Sequence, residues 1–170
     1  MSSDHLRQVE ENLELLREQL GGKDKAKILA PLEEQVRINQ QIRELRKQIR
    51  QYEEEYWQIL AHESATVAIP EPAPDFVVAE IVKQAGQLQA SQQYSDEVLE
   101  WLQKIYAEVS KPGTPAAAKL KGVLSLMPPF VNVSYEAELD TESFLRKHFP
   151  TFRTWYKALA KNSLVTVICL

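Results

Sequence analysis

Hydrophobic residues between positions 38 and 59 recur with alternating steps of four and three. A shorter stripe with the same spacing lies near the N-terminus. This spacing is the heptad pattern of a coiled coil and predicts two amphipathic helices. We expect Gly21-Gly22 to end the first helix and Pro31 to begin the second. The predicted seam consists of Leu6, Val9, Leu13, Leu16, Leu20, Ile38, Ile42, Leu45 and Ile49.

The charges of these two helices favour an antiparallel hairpin. Acidic side chains predominate in residues 1–20 and basic side chains in residues 35–50. Opposite charges across a seam favour pairing and help to select its register. A chain that folds back at the glycines would set Leu6 near Arg46. The alternative, two amphipathic helices that pack elsewhere, remains open.

The predicted second helix is longer than the first. Its unmatched part, residues 50–61, carries an apolar and aromatic strip. A strip of this kind usually contacts a partner chain or another part of the same protein. We therefore predict a partner-binding surface, and a homo-oligomer or an effector-domain protein as its partner, at Tyr52, Tyr56, Trp57 and Ile59.

Proline residues suggest a division into domains. Pro70, Pro72 and Pro74 alternate with other residues, which favours an extended linker and opposes a stable helix. The fold class that we expect is mainly α. Its parts are a helical hairpin or coiled coil at 1–61, a linker at 62–75, a small helical domain at 76–162 and an apolar tail at 163–170.

Within the C-terminal half, most segments have the hydrophobic period and the caps of helices. We expect helices from Asp75, from Ser95 and from Ala116, with Trp101, Phe144 and Trp155 in the core. Residues 130–139 alternate between apolar and polar positions, which predicts one short extended segment. The apolar tail could pair with that segment as a strand, or it could be the remnant of a longer chain.

Composition narrows the function classes. The 170 residues are 44% apolar and carry a net charge of −4, so the whole chain has no general attraction for nucleic acid or anionic lipid. Cys169 is the single cysteine, which excludes an internal disulfide and a cysteine-rich metal site. The N-terminus lacks the apolar core of a secretory signal, and no apolar run is long enough for a membrane span. We expect a cytoplasmic protein.

Candidate chemistry is sparse. His5, His62 and His148 are scattered without metal-ligand spacing, and the glycines form no phosphate-binding loop, so we predict no metal, no cofactor and no catalytic residue. Two alternatives stay open. One is a fragment of a larger effector protein or enzyme that uses the acidic run Glu136, Glu138, Asp140 and Glu142. The other is a weak nucleic-acid binder that uses the basic patch Arg43, Arg46, Lys47 and Arg50.

A longer motif lies in residues 115–160. An apolar helix is followed by Pro128-Pro129, then by Ser-Tyr-Glu-Ala-Glu-Leu-Asp-Thr-Glu at 134–142 and by His-Phe-Pro-Thr-Phe-x-x-Trp at 148–155. This order resembles an adaptor segment of cyanobacterial effector-associated multi-module proteins, where it often follows a coiled coil. The resemblance implies an adaptor region without catalysis of its own. It carries no assigned active site, and an effector domain is not found within these 170 residues.

Taken together, these patterns indicate a non-catalytic protein–protein interaction or oligomerisation adaptor. The resemblance adds cytosolic signalling or defence assemblies as the expected setting. Nucleic-acid binding is the less favoured interpretation, since the acidic first helix offers the basic patch a nearer partner.

Overall fold

The computed structural model describes residues 2–63 and 73–168, with side chains at 4–62 and 73–161. These residues form eight α-helices and, within these ranges, no strand. The helices are α1 (Ser2–Leu29), α2 (Leu32–Glu63), α3 (Pro74–Ser91), α4 (Asp96–Val109), α5 (Ala116–Ser125), α6 (Met127–Glu136), α7 (Thr141–His148) and α8 (Pro150–Ile168).

Helices α1 and α2 form the antiparallel hairpin that the sequence predicts. Their lengths differ little, with 28 residues in α1 and 32 in α2. The expectation that Gly21-Gly22 ends the first helix is wrong, because α1 continues to Leu29 and the chain turns at Ala30-Pro31. Each glycine costs a helix only about 1 kcal/mol, which packing along the hairpin outweighs.

The later turn also changes the register of the hairpin. His5 forms an ion pair with Glu55, so the N-terminal end of α1 lies beside the second half of α2. The register that would set Leu6 near Arg46 is therefore wrong. The observed register differs because α1 continues for eight residues after Gly21, so the chain turns back later.

Both halves of the chain contribute to one buried cluster. Helix α2 packs against α5 and α6, and α1 packs against α8. Leu6, Ile49 and Leu60 of the hairpin belong to the same cluster as Trp101 and Phe149. The sequence-based division at 61, 75 and 162 stays a prediction, and residues 64–72 of its linker lie outside the described residues.

Local contacts explain how the C-terminal helices are held. The Ser95 side chain caps α4, as expected, by accepting a hydrogen bond from the Val98 N–H. The Trp101 indole N–H donates to the Leu126 carbonyl at 3.0 Å, and its ring stacks on Phe130. The Glu80 carboxylate accepts hydrogen bonds from the Thr151 and Phe152 N–H groups at the start of α8, where a helix has unpaired donors and a positive end.

The prediction of an extended segment at 130–139 is wrong. Residues 127–136 form α6, and the prolines that were expected to end a helix lie in its first turn, where a missing N–H costs no hydrogen bond. Helix α6 buries Met127, Phe130, Val131 and Ser134, which have the spacing of one helical face. The proposed strand pairing of the tail is also wrong, because residues 163–168 are part of α8; Cys169 and Leu170 lie outside the described residues.

The continuity of α1 through its two glycines is testable. Nothing lies within 4 Å of a Cβ built at either glycine. Replacing both by alanine (Gly21→Ala, Gly22→Ala) should therefore raise the free energy of unfolding by about 0.5–1 kcal/mol per site. Chemical denaturation followed by circular dichroism measures this change.

Gly113 provides the matched control. It also has open space around a built Cβ, but its φ is +71°, a conformation that favours glycine. Gly113→Ala should lower the free energy of unfolding by about 1–2 kcal/mol. A lower stability of the Gly21→Ala/Gly22→Ala protein would show instead that the glycines interrupt α1.

Candidate functional site

The predicted seam residues face the interior of the hairpin. Leu6, Val9, Leu13, Ile38, Ile42 and Ile49 are buried, and Leu16, Leu20 and Leu45 are half-buried. Ile38 and Ile42 are buried, but they do not belong to the cluster that both halves of the chain share. The hairpin end that includes the first half of α2 therefore forms an arm that extends beyond the shared core. We call residues 21–45 the arm.

The strip predicted to bind a partner is not a free surface. Tyr56 and Trp57 are 5% and 3% exposed, and Tyr52 and Ile59 are half-buried against the shared core. The Trp57 ring lies 4.6 Å from that of Tyr156 and stacks on Phe152. Helix α8 of the same chain thus covers Tyr56 and Trp57, which is one of the two kinds of contact expected for such a strip, and the binding of a partner there stays a prediction.

Apolar residues are exposed on the arm and near its base instead. The exposed fraction is 57% for Leu15 and 89% for Leu29, and Ile28, Leu32 and Val36 are exposed at the hairpin turn. Leu15, Gly22 and Leu29 are seven residues apart, so they share the face of α1 that points away from the seam. We call these three residues the outer stripe. Its heptad spacing is visible in the sequence, but a helix that ended at Gly21 would have cut it in two.

Charged residues flank the outer stripe in two blocks. Glu11, Glu14 and Glu18 are exposed around Leu15, whereas Lys25 and Lys27 are exposed around Leu29. Glu18 and Lys25 each follow a stripe residue by three positions, so both lie next to the stripe on the same side of α1. The outer surface of α1 is therefore acidic at one end and basic at the other.

A second feature is a cleft of about 780 Å³ between the hairpin and helices α7 and α8. At its floor, Arg17 of α1 contacts Glu53 of α2 at 2.5 Å and Glu142 of α7 at 2.8 Å. Arg153 of α8 contacts Glu142 at 3.1 Å. This ionic network joins four helices, and its members lie far apart in the chain.

Burial sets the protonation of this network. Glu53 is only 3% exposed, and the loss of water raises its pKa to about 7, although the charge of Arg17 acts in the opposite direction. Burial also acts to raise the pKa of Glu142, but Arg17, Lys157 and Arg153 outweigh it and hold that pKa below its ordinary value. Glu142 is thus the ionised partner of Arg17, while Glu53 titrates near neutral pH.

One hydroxyl group beside the cleft is buried without a partner among the described residues. The Tyr56 hydroxyl is buried and forms no hydrogen bond with any described residue. Burial raises the pKa of Tyr56 well above its ordinary value, so the hydroxyl stays protonated. A buried polar group without a hydrogen bond is unfavourable by about 1–3 kcal/mol.

The remaining candidates are dispersed. The acidic run does not present one face, because Glu136 ends α6, Glu138 lies in a turn with a φ of +58°, and Asp140 precedes α7. His5 pairs with Glu55, and the His148 ring lies 2.6 Å from the Tyr94 hydroxyl. Among the residues that the structure describes, no group of histidine, cysteine or acidic side chains has a metal-binding arrangement.

Residues of the basic patch lie on the outside of α2. Arg43, Arg46 and Lys47 are exposed, and Arg50 is half-buried beside Glu54. The acidic partner expected from α1 is not found at contact distance, since no ion pair joins Arg43, Arg46 or Lys47 to a described carboxylate. In helices α1 to α8, as far as they are described, no helix is long and apolar enough to cross a membrane.

The titration of Glu53 predicts a dependence of stability on pH. The folded-state pKa of Glu53 is about 7, above the usual value of 4.5, so the folded protein favours the protonated side chain. The contribution of protonated Glu53 to the free energy of unfolding is therefore fully present below pH 4.5 and is lost as the pH rises through 7. Glu53→Gln removes this titration. Its stability relative to the unsubstituted protein should therefore rise between pH 5 and pH 8, by on the order of 1–3 kcal/mol.

Urea unfolding at several pH values measures this difference, and Glu136→Gln is the control. Glu136 is exposed, so its substitution should leave the pH profile unchanged. If the stability of Glu53→Gln relative to the unsubstituted protein fell with rising pH, the prediction would be contradicted. Such a result would show that Arg17 keeps Glu53 ionised at low pH.

Comparisons with known proteins supply no family for this chain. It matches no protein-family model, and neither a curated protein nor a solved structure is detectably similar to it. The resemblance of residues 115–160 to an effector-associated adaptor segment stays a prediction. A function has to be proposed from the arm and the cleft.

Proposed function

We propose that this protein is a non-catalytic interaction module that associates with a second copy of itself through the arm. The observation that carries this proposal is the outer stripe, whose two leucines, Leu15 and Leu29, are 57% and 89% exposed. Exposed apolar surface on a protruding helical hairpin is typical of sites that bind other proteins.

The outer stripe is complementary to itself. If two α1 helices cross antiparallel at Gly22, Leu15 of each copy faces Leu29 of the other. Glycine at the crossing point permits close approach, and a built Cβ at Gly22 meets nothing within 4 Å in the single chain. Such a contact has twofold symmetry and uses the same patch on both copies, which is the common geometry of homodimers.

The charges support the same arrangement. Antiparallel pairing sets the acidic block around Leu15 beside the basic block around Leu29 of the second copy. Glu18 then lies next to Lys25 of the second copy, and this contact occurs twice. Parallel pairing would instead set like charges side by side, which is unfavourable.

Self-association of this kind would leave the rest of the molecule accessible. The dimer contact uses the outer stripe of α1, whereas α5 and α6 pack against α2, and α8 packs against α1 beside the cleft. The C-terminal helices of the two copies would then lie at opposite ends of one twofold-symmetric contact. We propose an adaptor role on this basis, in cytosolic signalling or defence assemblies as the adaptor-segment resemblance implies, with the C-terminal helices as a second docking surface.

Substitution of the two neighbouring glycines tests the proposal. Gly22→Gln places a long side chain at the crossing point and should shift the protein toward monomer at micromolar concentrations. Gly21→Gln changes the adjacent position, which points about 100° away on the helix, and should leave the dimer intact. Sedimentation velocity measures both. Both changes favour the helix, so neither should lower the thermal stability of the monomer.

A charge exchange tests the register. Glu18→Lys and Lys25→Glu should each weaken self-association, because each homodimer would contain two like-charge contacts. A mixture of the two variants should form heterodimers, since both contacts then join opposite charges. A monomer at all concentrations, or equal effects of Gly21→Gln and Gly22→Gln, would overturn the proposal.

A further inference from the structure

We propose that the ionic network between the hairpin and helices α7 and α8 is a pH-dependent switch, in which protonated Glu53 keeps α1 tied to α7 and ionised Glu53 loosens that contact. This inference does not depend on self-association, because Arg17 lies on a different face of α1 from the outer stripe. It concerns the position of the hairpin within a folded protein. It rests on the way in which two carboxylates share the cations of the network.

The two carboxylates that contact Arg17 have unequal sets of partners. Glu142 contacts Arg17 at 2.8 Å, Arg153 at 3.1 Å and Arg146 at 3.6 Å. Among the described residues, Glu53 forms an ion pair with Arg17 alone, at 2.5 Å. Glu142 therefore keeps two cations on α7 and α8 if Arg17 is withdrawn, whereas Glu53 has no second cation.

The other groups near Glu53 do not make up for this difference. Asp140 is a like charge that opposes the ionisation of Glu53, and Arg17 favours it. Lys119 and Lys121, the charged residues of α5, do not line the cleft. The charged or titratable groups around Glu53 are Arg17 of α1, Arg50 and Glu54 of α2, which pair with each other, Tyr135 of α6, Asp140 before α7, Glu142 of α7 and Tyr156 of α8.

Burial makes the proton on Glu53 decisive. Its side chain is 3% exposed, whereas that of Glu142 is 15% exposed. An ionised carboxylate in such a place requires a close cation or water. Arg17 meets this requirement only in part, because the pKa of Glu53 is about 7 despite the ion pair.

Ionisation of Glu53 would redistribute the contacts of Arg17. While Glu53 is protonated, the charge of Arg17 is balanced by Glu142, and this ion pair ties α1 to α7. Once Glu53 is ionised, it competes for Arg17, and Glu142 retains Arg146 and Arg153. The ion pair within the hairpin is then strengthened at the expense of the ion pair between α1 and α7.

The cleft allows a small movement to bring water to Glu53. Arg17, Glu53 and Glu142 all line this cleft of about 780 Å³. Trp57 lies one turn after Glu53 on α2, and its ring packs against α8 through apolar contacts that do not titrate. This contact would serve as the hinge when α1 moves away from α7.

Linkage gives the direction of the pH dependence. In the described, closed arrangement the pKa of Glu53 is about 7, above the usual value of 4.5, and hydration in an open arrangement would return that pKa toward the usual value. The closed arrangement is therefore favoured by protonation, and this advantage is lost as the pH rises through 7. Between the two pKa values, each pH unit shifts the equilibrium toward the open arrangement by up to about tenfold.

Spin labels on the hairpin and on α8 test the proposal in the full chain. Gln19 of α1 and Thr154 of α8 are exposed and do not line the cleft, so both suit substitution by a labelled cysteine in a Cys169→Ser background. Double electron–electron resonance should show a longer distance whose population grows between pH 5 and pH 8. An excess of unlabelled protein confines the signal to one chain, so self-association does not affect the result.

Glu53→Gln is the decisive variant. It keeps the size of the side chain and removes its titration, so the shorter distance should persist at pH 8. Asp140→Asn removes the like charge that opposes the ionisation of Glu53, and it should lower the population of the longer distance at pH 8 by about twofold or more.

His5→Gln is the matched control. His5 pairs with Glu55 across the same hairpin, and the charge of histidine side chains changes in the same pH range. This substitution should leave the pH profile of the distance unchanged. Circular dichroism of each variant should show constant helix content from pH 5 to pH 8, because the movement leaves the helices intact.

Four results would overturn the proposal. These are a distance that does not depend on pH, a pH response retained in Glu53→Gln, a response lost in His5→Gln, and an unchanged response in Asp140→Asn. A loss of helix content that accompanies the longer distance would also overturn it, since the pH would then act on the whole fold and not on the contact between α1 and α7.

Discussion

The contact of Trp57 with α8 is the constraint on which the rest of the structure depends. Trp57 packs against the rings of both Tyr156 and Phe152 and is almost fully buried. This contact attaches the second half of α2 to the C-terminal helices through large apolar rings, which contribute more burial than any other side chains. Because only that half of α2 is attached, the other half extends with α1 as the arm. The cleft lies beside the contact between α1 and α8.

The ionic network adds specificity to this attachment more than it adds stability. Burial of Arg17 and its carboxylates costs several kcal/mol per charge, which the ion pairs offset only in part. At Glu53 the cost of burial exceeds the gain from the ion pair, because its pKa rises to about 7 despite the contact with Arg17. The network nevertheless requires one relative position of four helices, since Glu142 must reach both Arg17 and Arg153. Packing between apolar rings would tolerate small shifts of a helix, whereas these ion pairs would not.

Local signals in the sequence identify most helices but not their tertiary contacts. The Ser95 cap and the hydrophobic period of α4 predict its start to within a residue, because a cap and a period involve only neighbouring positions. The pattern at 130–136 is ambiguous, since residues such as Phe130, Val131 and Ser134 satisfy helical spacing while Val131, Val133 and Tyr135 satisfy alternation. Pro128-Pro129 can end one helix or begin the next, and the sequence alone does not decide between these.

The cleft and its ionic network depend on tertiary contacts, which no local pattern in the sequence reveals. Arg17, Glu53 and Glu142 are brought together from three distant parts of the chain, so no spacing rule could have paired them. The heptad repeat of α2 continues through Tyr56, and a repeat does not reveal whether its partner is a second chain or a later helix of the same one. The outer stripe, in contrast, is a local signal, and only the assumption that two glycines end a helix conceals it.

Helix α1 therefore presents three faces with different chemistry: the seam, the cleft and the outer stripe. Glu18 lies between the last two, because it lines the cleft and also flanks the outer stripe. A substitution of Glu18 would therefore change the cleft and the outer stripe together, whereas a substitution of Leu29 would change the outer stripe alone.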